Sequence, residues 1–218
     1  MSHEIRTPIN VILNISNMIL EDYYFEADDD RQSSFAILDS AGKRIVRTID
    51  LILNMSDIQI GSYKTSIKTF DLFSEMYNTF FNEFKKLADE KDLDFIWKKE
   101  SNNTTISGDF YSISQIFSNI LHNAIQFTHI GEIKVVFSTN KENKLVVDFV
   151  DTGIGISEQF LPNIFNTFSQ EDSGHTRKYE GNGLGMALTK AYCELNKIKI
   201  DIISKKGFGS TISLTFLN

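Results

Sequence analysis

Cysteine is almost missing from this chain of 218 residues, and the lone Cys193 excludes an internal disulfide and a cysteine-built zinc site. A single free thiol fits a reducing compartment, so a cytoplasmic location is expected. A basic surplus is missing too. Lys and Arg number 22 against 29 Asp and Glu, a net charge of −7 that leaves nothing to neutralise a phosphate backbone. No nucleic-acid partner is expected. Long apolar runs are absent: the nearest, Val11 to Leu20, is broken by Asn14, Ser16 and Asn17, far short of the roughly 18 residues a span needs. That stretch also lacks a basic leader and a small-residue cleavage site. Neither a membrane segment nor a signal peptide is therefore expected, and any anchor of a longer parent protein would lie outside this chain. Internal repeats and low-complexity tracts are also lacking. What is present, 41% hydrophobic and 12% aromatic residues, argues against disorder and allows one large or two modest domains.

The first third is helical in pattern. Ile5, Ile9, Ile12, Ser16 and Ile19 recur at alternating spacings of four and three, and Phe35, Leu38, Gly42, Ile45, Ile49 and Ile52 do much the same. Between them Glu21 to Asp30, acidic and aromatic without a period, reads as a loop. Two such helices make a hairpin, and each carries more apolar surface than one partner covers. The hairpin can pack on a second domain of its own chain or on a second copy as a homodimeric four-helix bundle. Gly61 and Ser62 mark a boundary between domains 1–62 and 63–218.

Beyond it the pattern alternates. A helix is expected from about Asp71, as N-cap, to Lys91, then a strand at Leu93 to Trp97 and a short one near Thr104 to Ser107 after the turn at Asn102 and Asn103. A helix from about Phe110 to Phe127 precedes strands Glu132 to Ser138 and Leu145 to Val150. A last helix, about Gly185 to Leu195, leads into a hairpin of Ile198 to Ile203 and Ser210 to Phe216 across Gly207 and Gly209. Strands mixed with helices and ending in strand pairs predict an α+β fold: a helical hairpin followed by an α/β sandwich with a mixed, mostly antiparallel sheet.

Four stretches carry chemistry. His3, Glu4, Thr7 and Pro8 place an imidazole beside a carboxylate, with a hydroxyl one helical turn on. Pro8 offers no N–H to the Glu4 carbonyl and bends the helix, which can expose a ring nitrogen. A surface histidine at a helix start is the plainer alternative. Asn119 and Asn123 lie one turn apart on a helix whose other positions, Ile116, Ile120 and Leu121, are apolar. An amide facing a cleft gives its oxygen to Mg²⁺ and its nitrogen to phosphate, although half-exposed asparagines need no such role. Asp151-Thr-Gly153-Ile-Gly155-Ile156 follows a hydrophobic strand: a carboxylate there accepts from an exocyclic amine, and the glycines let backbone approach a flat base. An Asp-x-Gly turn is the alternative. Gly181-Asn182-Gly183-Leu184-Gly185 enters a helix and can present N–H groups to phosphate at its N-terminus. It is not the dinucleotide fingerprint, because it arrives late and lacks the βαβ setting. The segment before it, through Phe165, Phe168, Ser169, Arg177, Lys178 and Tyr179, reads as a lid whose cations meet phosphate or form a solvated pair.

In order and spacing these stretches resemble the phosphoacceptor box and the N, G1, F and G2 boxes of the sensor histidine kinases of two-component signalling. Their ATP-binding domain is shared with gyrase-type ATPases, Hsp90 and MutL. The resemblance covers essentially the whole chain and favours the dimeric bundle. It implies a Bergerat-type sandwich binding ATP and Mg²⁺, with Asn123 on the metal, Asn119 nearby, Asp151 on adenine and Phe127 against the base or ribose. Gly153, Gly155, Gly181, Gly183, Leu184, Gly185 and Lys178 would surround the nucleotide, and Thr211 would support Asp151. It implies autophosphorylation of His3 with Glu4 as proton acceptor, and transfer to an aspartate of a response-regulator receiver domain. Thr7 would position water for the reverse dephosphorylation. The ATPase relatives carry a water-activating glutamate where this chain has Asn119, which cannot serve as a general base, so transfer to protein is favoured over hydrolysis.

Three features depart from the family pattern. Gln126 stands where lysine or arginine usually touches phosphate, Asn182 replaces a common threonine, and only Met1 and Ser2 precede His3, so a fragment or a truncated gene product is expected, with an upstream sensor domain in a longer parent. A non-catalytic ATP-binding or dimerisation module is the rival reading, and a water-hydrolysing ATPase the third. His122, His129 and His175 are expected as surface histidines rather than metal ligands.

Overall fold

A computed structural model describes residues 29–171 and 183–217. The expected first helix, the box around His3, Glu4 and Thr7, and Arg177, Lys178, Gly181 and Asn182 lie outside the described residues. The chain divides into two compact units, Met1–Tyr63 and Lys64–Asn218.

In the first unit, helix α1 (Asp29–Gln59) has 31 residues, about 47 Å at 1.5 Å per residue. It begins inside the stretch expected as a loop, so Asp29 and Asp30 are helical. Leu51 is buried at 6% exposure, whereas Ile45 and Ile52 stand at 49% and 47%. The end of α1 is set by Gly61 at φ +71, a left-handed conformation that glycine adopts without a Cβ penalty. The Asp57 carbonyl there receives the Ser62 N–H at 2.9 Å.

The second unit runs β1 (Ile67–Asp71), α2 (Leu72–Asp89), β2 (Asp94–Lys99), β3 (Thr105–Asp109), α3 (Phe110–Phe127), β4 (Glu132–Thr139), β5 (Leu145–Asp151), a 3₁₀ turn (Leu161–Asn163), α4 (Gly185–Leu195), β6 (Ile198–Lys205) and β7 (Gly209–Phe216). A five-stranded sheet has the order β2-β4-β5-β7-β6, and β1 and β3 pair separately. Only β2 with β4 is parallel within the large sheet, so it is mixed and mostly antiparallel, as expected.

Period-two alternation builds the sheet's inner face: Ile133, Val135 and Phe137 on β4 and Leu145, Val147 and Phe149 on β5 are buried, and the residues between them are half-exposed. The helices cover that face with stripes at helical spacing. On α2 these are Leu72, Met76, Phe80, Phe84 and Ala88; on α3 they include Ile113, Ile116, Phe117 and Ile120. Phe117 sits at the centre, 4.9 Å edge-on from Phe149 and 6.2 Å from Phe137. Truncating such a ring costs about 3–5 kcal/mol.

Polar groups hold the helices in register. Asp71 and Asp109 cap α2 and α3 by accepting from the N–H of Ser74 and Ser112, each at 2.8 Å. Buried Asn196, at the end of α4, accepts from the Asp109 N–H at 2.8 Å and donates to Ser112 Oγ at 2.8 Å and the Tyr192 carbonyl at 2.9 Å. One amide therefore ties the start of α3 to the end of α4.

Candidate functional site

Helix α3 presents Asn119, Asn123 and Phe127 at successive spacings of four, hence on one face. Asn119 is buried at 2% exposure, and its amide nitrogen donates to the Gly185 carbonyl at 3.4 Å. The first stretch thus meets the first turn of α4. Asn123 and Phe127 are half-buried. His122 turns the other way: its ring lies 4.9 Å from Phe84, edge to face. It is a half-buried packing residue rather than the surface histidine expected, whereas His129 is exposed.

Asp151 closes β5. Its carboxylate accepts from the Gly153 N–H at 2.9 Å and from the N–H and hydroxyl of Ser210. Burial nevertheless pushes its acid strength down, holding its pKa above the ordinary carboxylate value against those three bonds. Gly153 is packed tightly beside this carboxylate: a Cβ would sit 2.5 Å from the Phe127 carbonyl oxygen and 2.9 Å from Asp151 Oδ1. The Phe127 carbonyl also receives the Ile154 N–H at 3.1 Å, so the end of α3 and the loop after β5 form one unit. Gly155, at φ +62, lies so close to the Lys205 carbonyl that any Cβ would overlap it.

The third stretch is described from Gly183. At φ +67 it packs on the backbone of Phe168 and Ser169, and its carbonyl receives the Phe168 N–H at 3.0 Å. Phe168 itself has φ +61 and is 71% exposed, a strained setting for a large side chain. Leu184, at the N-cap of the 11-residue helix α4, offers no side-chain capping bond, and a helix N-terminus attracts an anion. Lys190 Nζ lies 5.5 Å over the Phe165 ring.

One expected contact is displaced. Thr211 pairs with Val150, while Ser210 is the residue opposite Asp151. Strand alternation sends Thr211 to the other face of the sheet, so the hydroxyl supporting Asp151 belongs to Ser210. The family resemblance pointed to Thr211, and the sequence carries no register that would single out its neighbour Ser210. Sequence reasoning also passed over Ser204, whose Oγ is 2.9 Å from Ser210 Oγ. The signal available was inward alternation along Ile198, Ile200 and Ile202, which Ser204 continues. Among the described residues no three His, Cys, Asp or Glu side chains cluster as a metal site, and no helix is long and apolar enough to cross a membrane.

Comparison with known proteins matches this arrangement from both sides. Residues 108–218 match the family described as histidine kinase-, DNA gyrase B- and HSP90-like ATPase, and residues 1–61 match the His Kinase A (phospho-acceptor) domain. Autoinducer 2 sensor kinase/phosphatase LuxQ of Vibrio cholerae is 33% identical over 98% of this chain and 25% of its own length. Hybrid signal transduction histidine kinase B of Dictyostelium discoideum is 31% identical over 99% of this chain and 11% of its own. The chain thus spans a quarter or less of these two curated relatives. Among solved structures, full-length ShkA in complex with AMPPNP superposes with a TM-score of 0.77 at 22% identity, over 99% of this chain and 44% of that one. Histidine kinase AdeS of Acinetobacter baumannii gives 0.65 at 21%, over 99% and 98%. With a phosphoacceptor domain followed by an ATPase-type domain in one chain, the protein belongs to the sensor histidine kinases.

Proposed function

We propose that this chain is the kinase core of a two-component signalling protein. Domain 63–218 binds ATP with Mg²⁺, domain 1–62 presents His3 in a homodimeric four-helix bundle, and the phosphoryl group passes from His3 to an aspartate of a response-regulator receiver domain. The observation that carries the reading is the pairing, within one unit, of a part-buried acceptor, Asp151, with the N-terminus of α4, which meets the Asn119 amide at Gly185. The first suits the amine of adenine, and the second suits phosphate.

The residues present fit these ligands. Gly153 lets the loop backbone lie directly against the Asp151 carboxylate, and Gly155 lets it pack on the Lys205 carbonyl, which holds the loop close to the carboxylate that would meet the base. Phe127 flanks the base, and Ser210 holds the carboxylate in place. Gly181, Gly183, Leu184 and Gly185 offer N–H groups to phosphate, and Lys178 adds a cation. With no acidic cluster among the described residues, Mg²⁺ would rest on the Asn123 amide, assisted by Asn119, and on phosphate and water oxygens, as is usual for this ion. When bound, ATP supplies the phosphoryl group and Mg²⁺ balances its charge. Glu4 orients the His3 imidazole and accepts its proton. Asn119 cannot activate water, so hydrolysis lacks a base. Thr7 would position water when the phosphorylated regulator is dephosphorylated. The relatives are several times longer and are named as sensor kinases, which supports a sensor domain in the parent and a kinase core working in the cytoplasm.

The test is incubation with γ-labelled ATP and Mg²⁺. Acid-labile label is expected on the chain and is lost in His3→Gln; label that survives this change overturns the reading. Nucleotide binding without any label would indicate the non-catalytic module that Gln126 suggests, and steady phosphate release insensitive to His3→Gln would indicate an ATPase.

A further inference from the structure

Ser204 stands near the end of β6 on the inward face, in line with Ile198, Ile200 and Ile202. A hydroxyl turned toward a core costs free energy unless it is hydrogen-bonded. This one is saturated. Its oxygen accepts the Ile156 N–H at 2.8 Å, its proton reaches the Gly209 carbonyl at 2.9 Å, and Ser210 Oγ is 2.9 Å away. Ser210 in turn bonds the Asp151 carboxylate. Each hydroxyl has one proton. That of Ser210 is committed to an acceptor-only carboxylate, so its oxygen is left to accept from Ser204, which shares its own proton with Gly209. The chain from Ile156 through Ser204 and Ser210 to Asp151 therefore has a direction.

We propose that Ser204 is a positioning residue for recognition of a 6-aminopurine: it orients the Ser210 hydroxyl onto Asp151 and holds Ile156, and with it the loop from Gly153, at a fixed depth. The inference rests on the nucleotide-binding reading above. It assigns base recognition to one bonded chain crossing β5, β7, β6 and the loop after β5. Ser204 touches neither the base nor phosphate; it acts through its neighbours.

The experiment is calorimetric binding of ADP, ATP and adenosine to the whole chain and to the variants Ser204→Ala, Ser204→Cys, Ser210→Ala and the Ser204→Ala/Ser210→Ala double. Loss of one buried hydrogen bond predicts about tenfold weaker ADP binding for Ser204→Ala. Ser204→Cys keeps the volume but bonds weakly, so it should fall between Ser204→Ala and the natural chain, and it remains informative if the alanine variant does not fold. In the Ser210→Ala background, Ser204→Ala should cost less than about twofold more, because its route to Asp151 is gone. Adenosine and ATP should weaken by the same factor, since the phosphate end is untouched. A merely structural role would give additive losses or a larger loss for ATP, and either overturns the proposal. So does natural-like affinity in both Ser204 variants. If the natural chain itself binds no ADP, the nucleotide reading fails first.

Discussion

Asp71 and Asp151 each close a β-strand, yet one caps a helix and the other leads into a glycine-bearing loop. Asp71 has φ −82 and ψ 107 and is followed at once by α2; Asp109, at φ −82 and ψ 109, does the same for α3. After Asp151 comes Thr-Gly-Ile-Gly, which forms no helix. Burial raises the pKa of both Asp71 and Asp151. In Asp71 it is outweighed by the Thr104 hydroxyl at 2.5 Å, the Ser74 N–H and nearby Lys99, and the carboxyl ends below its usual range. In Asp151 burial prevails over Gly153 and Ser210. The difference lies in depth rather than in the number of bonds: each carboxylate accepts from two neighbouring residues, but Asp151 sits deeper and loses more of its hydration.

That contrast can be broken by substitution. Asp151→Asn keeps the shape but would turn a donor toward the base amine of the proposed complex, so ADP affinity should fall by about 100-fold or more. Calorimetry checks this, and a thermal melt of the unliganded protein should show no loss of stability. Asp109→Ala removes a buried cap that also receives the Ser66 N–H at 2.5 Å, and should cost about 2 kcal/mol in denaturant unfolding. The same change at the more exposed Asp71 should cost about 1 kcal/mol and leave ADP affinity untouched. If Asp71→Ala weakened ADP as much as Asp151→Asn, the division between capping and binding aspartates would collapse.

The smallest effect is the dependence on pH. Asp151 binds its proton more tightly folded than unfolded, so its contribution to unliganded stability is greatest at low pH. That contribution declines as pH rises from the ordinary carboxylate value through the raised one. Asp71 runs the other way: its contribution is complete above the unfolded value and is lost as pH falls through the lowered one. A melting series from about pH 3 to 7 should therefore change slope in opposite senses for Asp151→Asn and Asp71→Asn. If Asp151 accepts from the base as proposed, it must be ionised, so ADP affinity should rise with pH across its window.

Much of the second unit was legible from pattern. Phe110 to Phe127 and Gly185 to Leu195 are helices with the bounds their periodicity predicts, and Asp71 is the N-cap. Helical spacing and capping are local, so one short window carries them. Strand β1 was missed because Ile-Lys-Thr-Phe-Asp is short and largely exposed, and its partner β3 lies nearly 40 residues away in sequence. Within the site, residue types were readable and pairings were not. The hydroxyl on Asp151 is that of Ser210 because register puts it opposite, and Ser204 joins it through a bond that no spacing announces.

Residue type and local period determined that this chain has a histidine box, asparagines one turn apart and two glycine-bearing stretches, in an order that resembles the sensor histidine kinases. These properties are carried by neighbours along the chain. Only the tertiary structure decided which face of a strand a hydroxyl occupies, which aspartate is desolvated, and that Asn119 meets Gly185 across 66 residues of sequence. Those depend on register and burial, which exist only once distant segments are packed together.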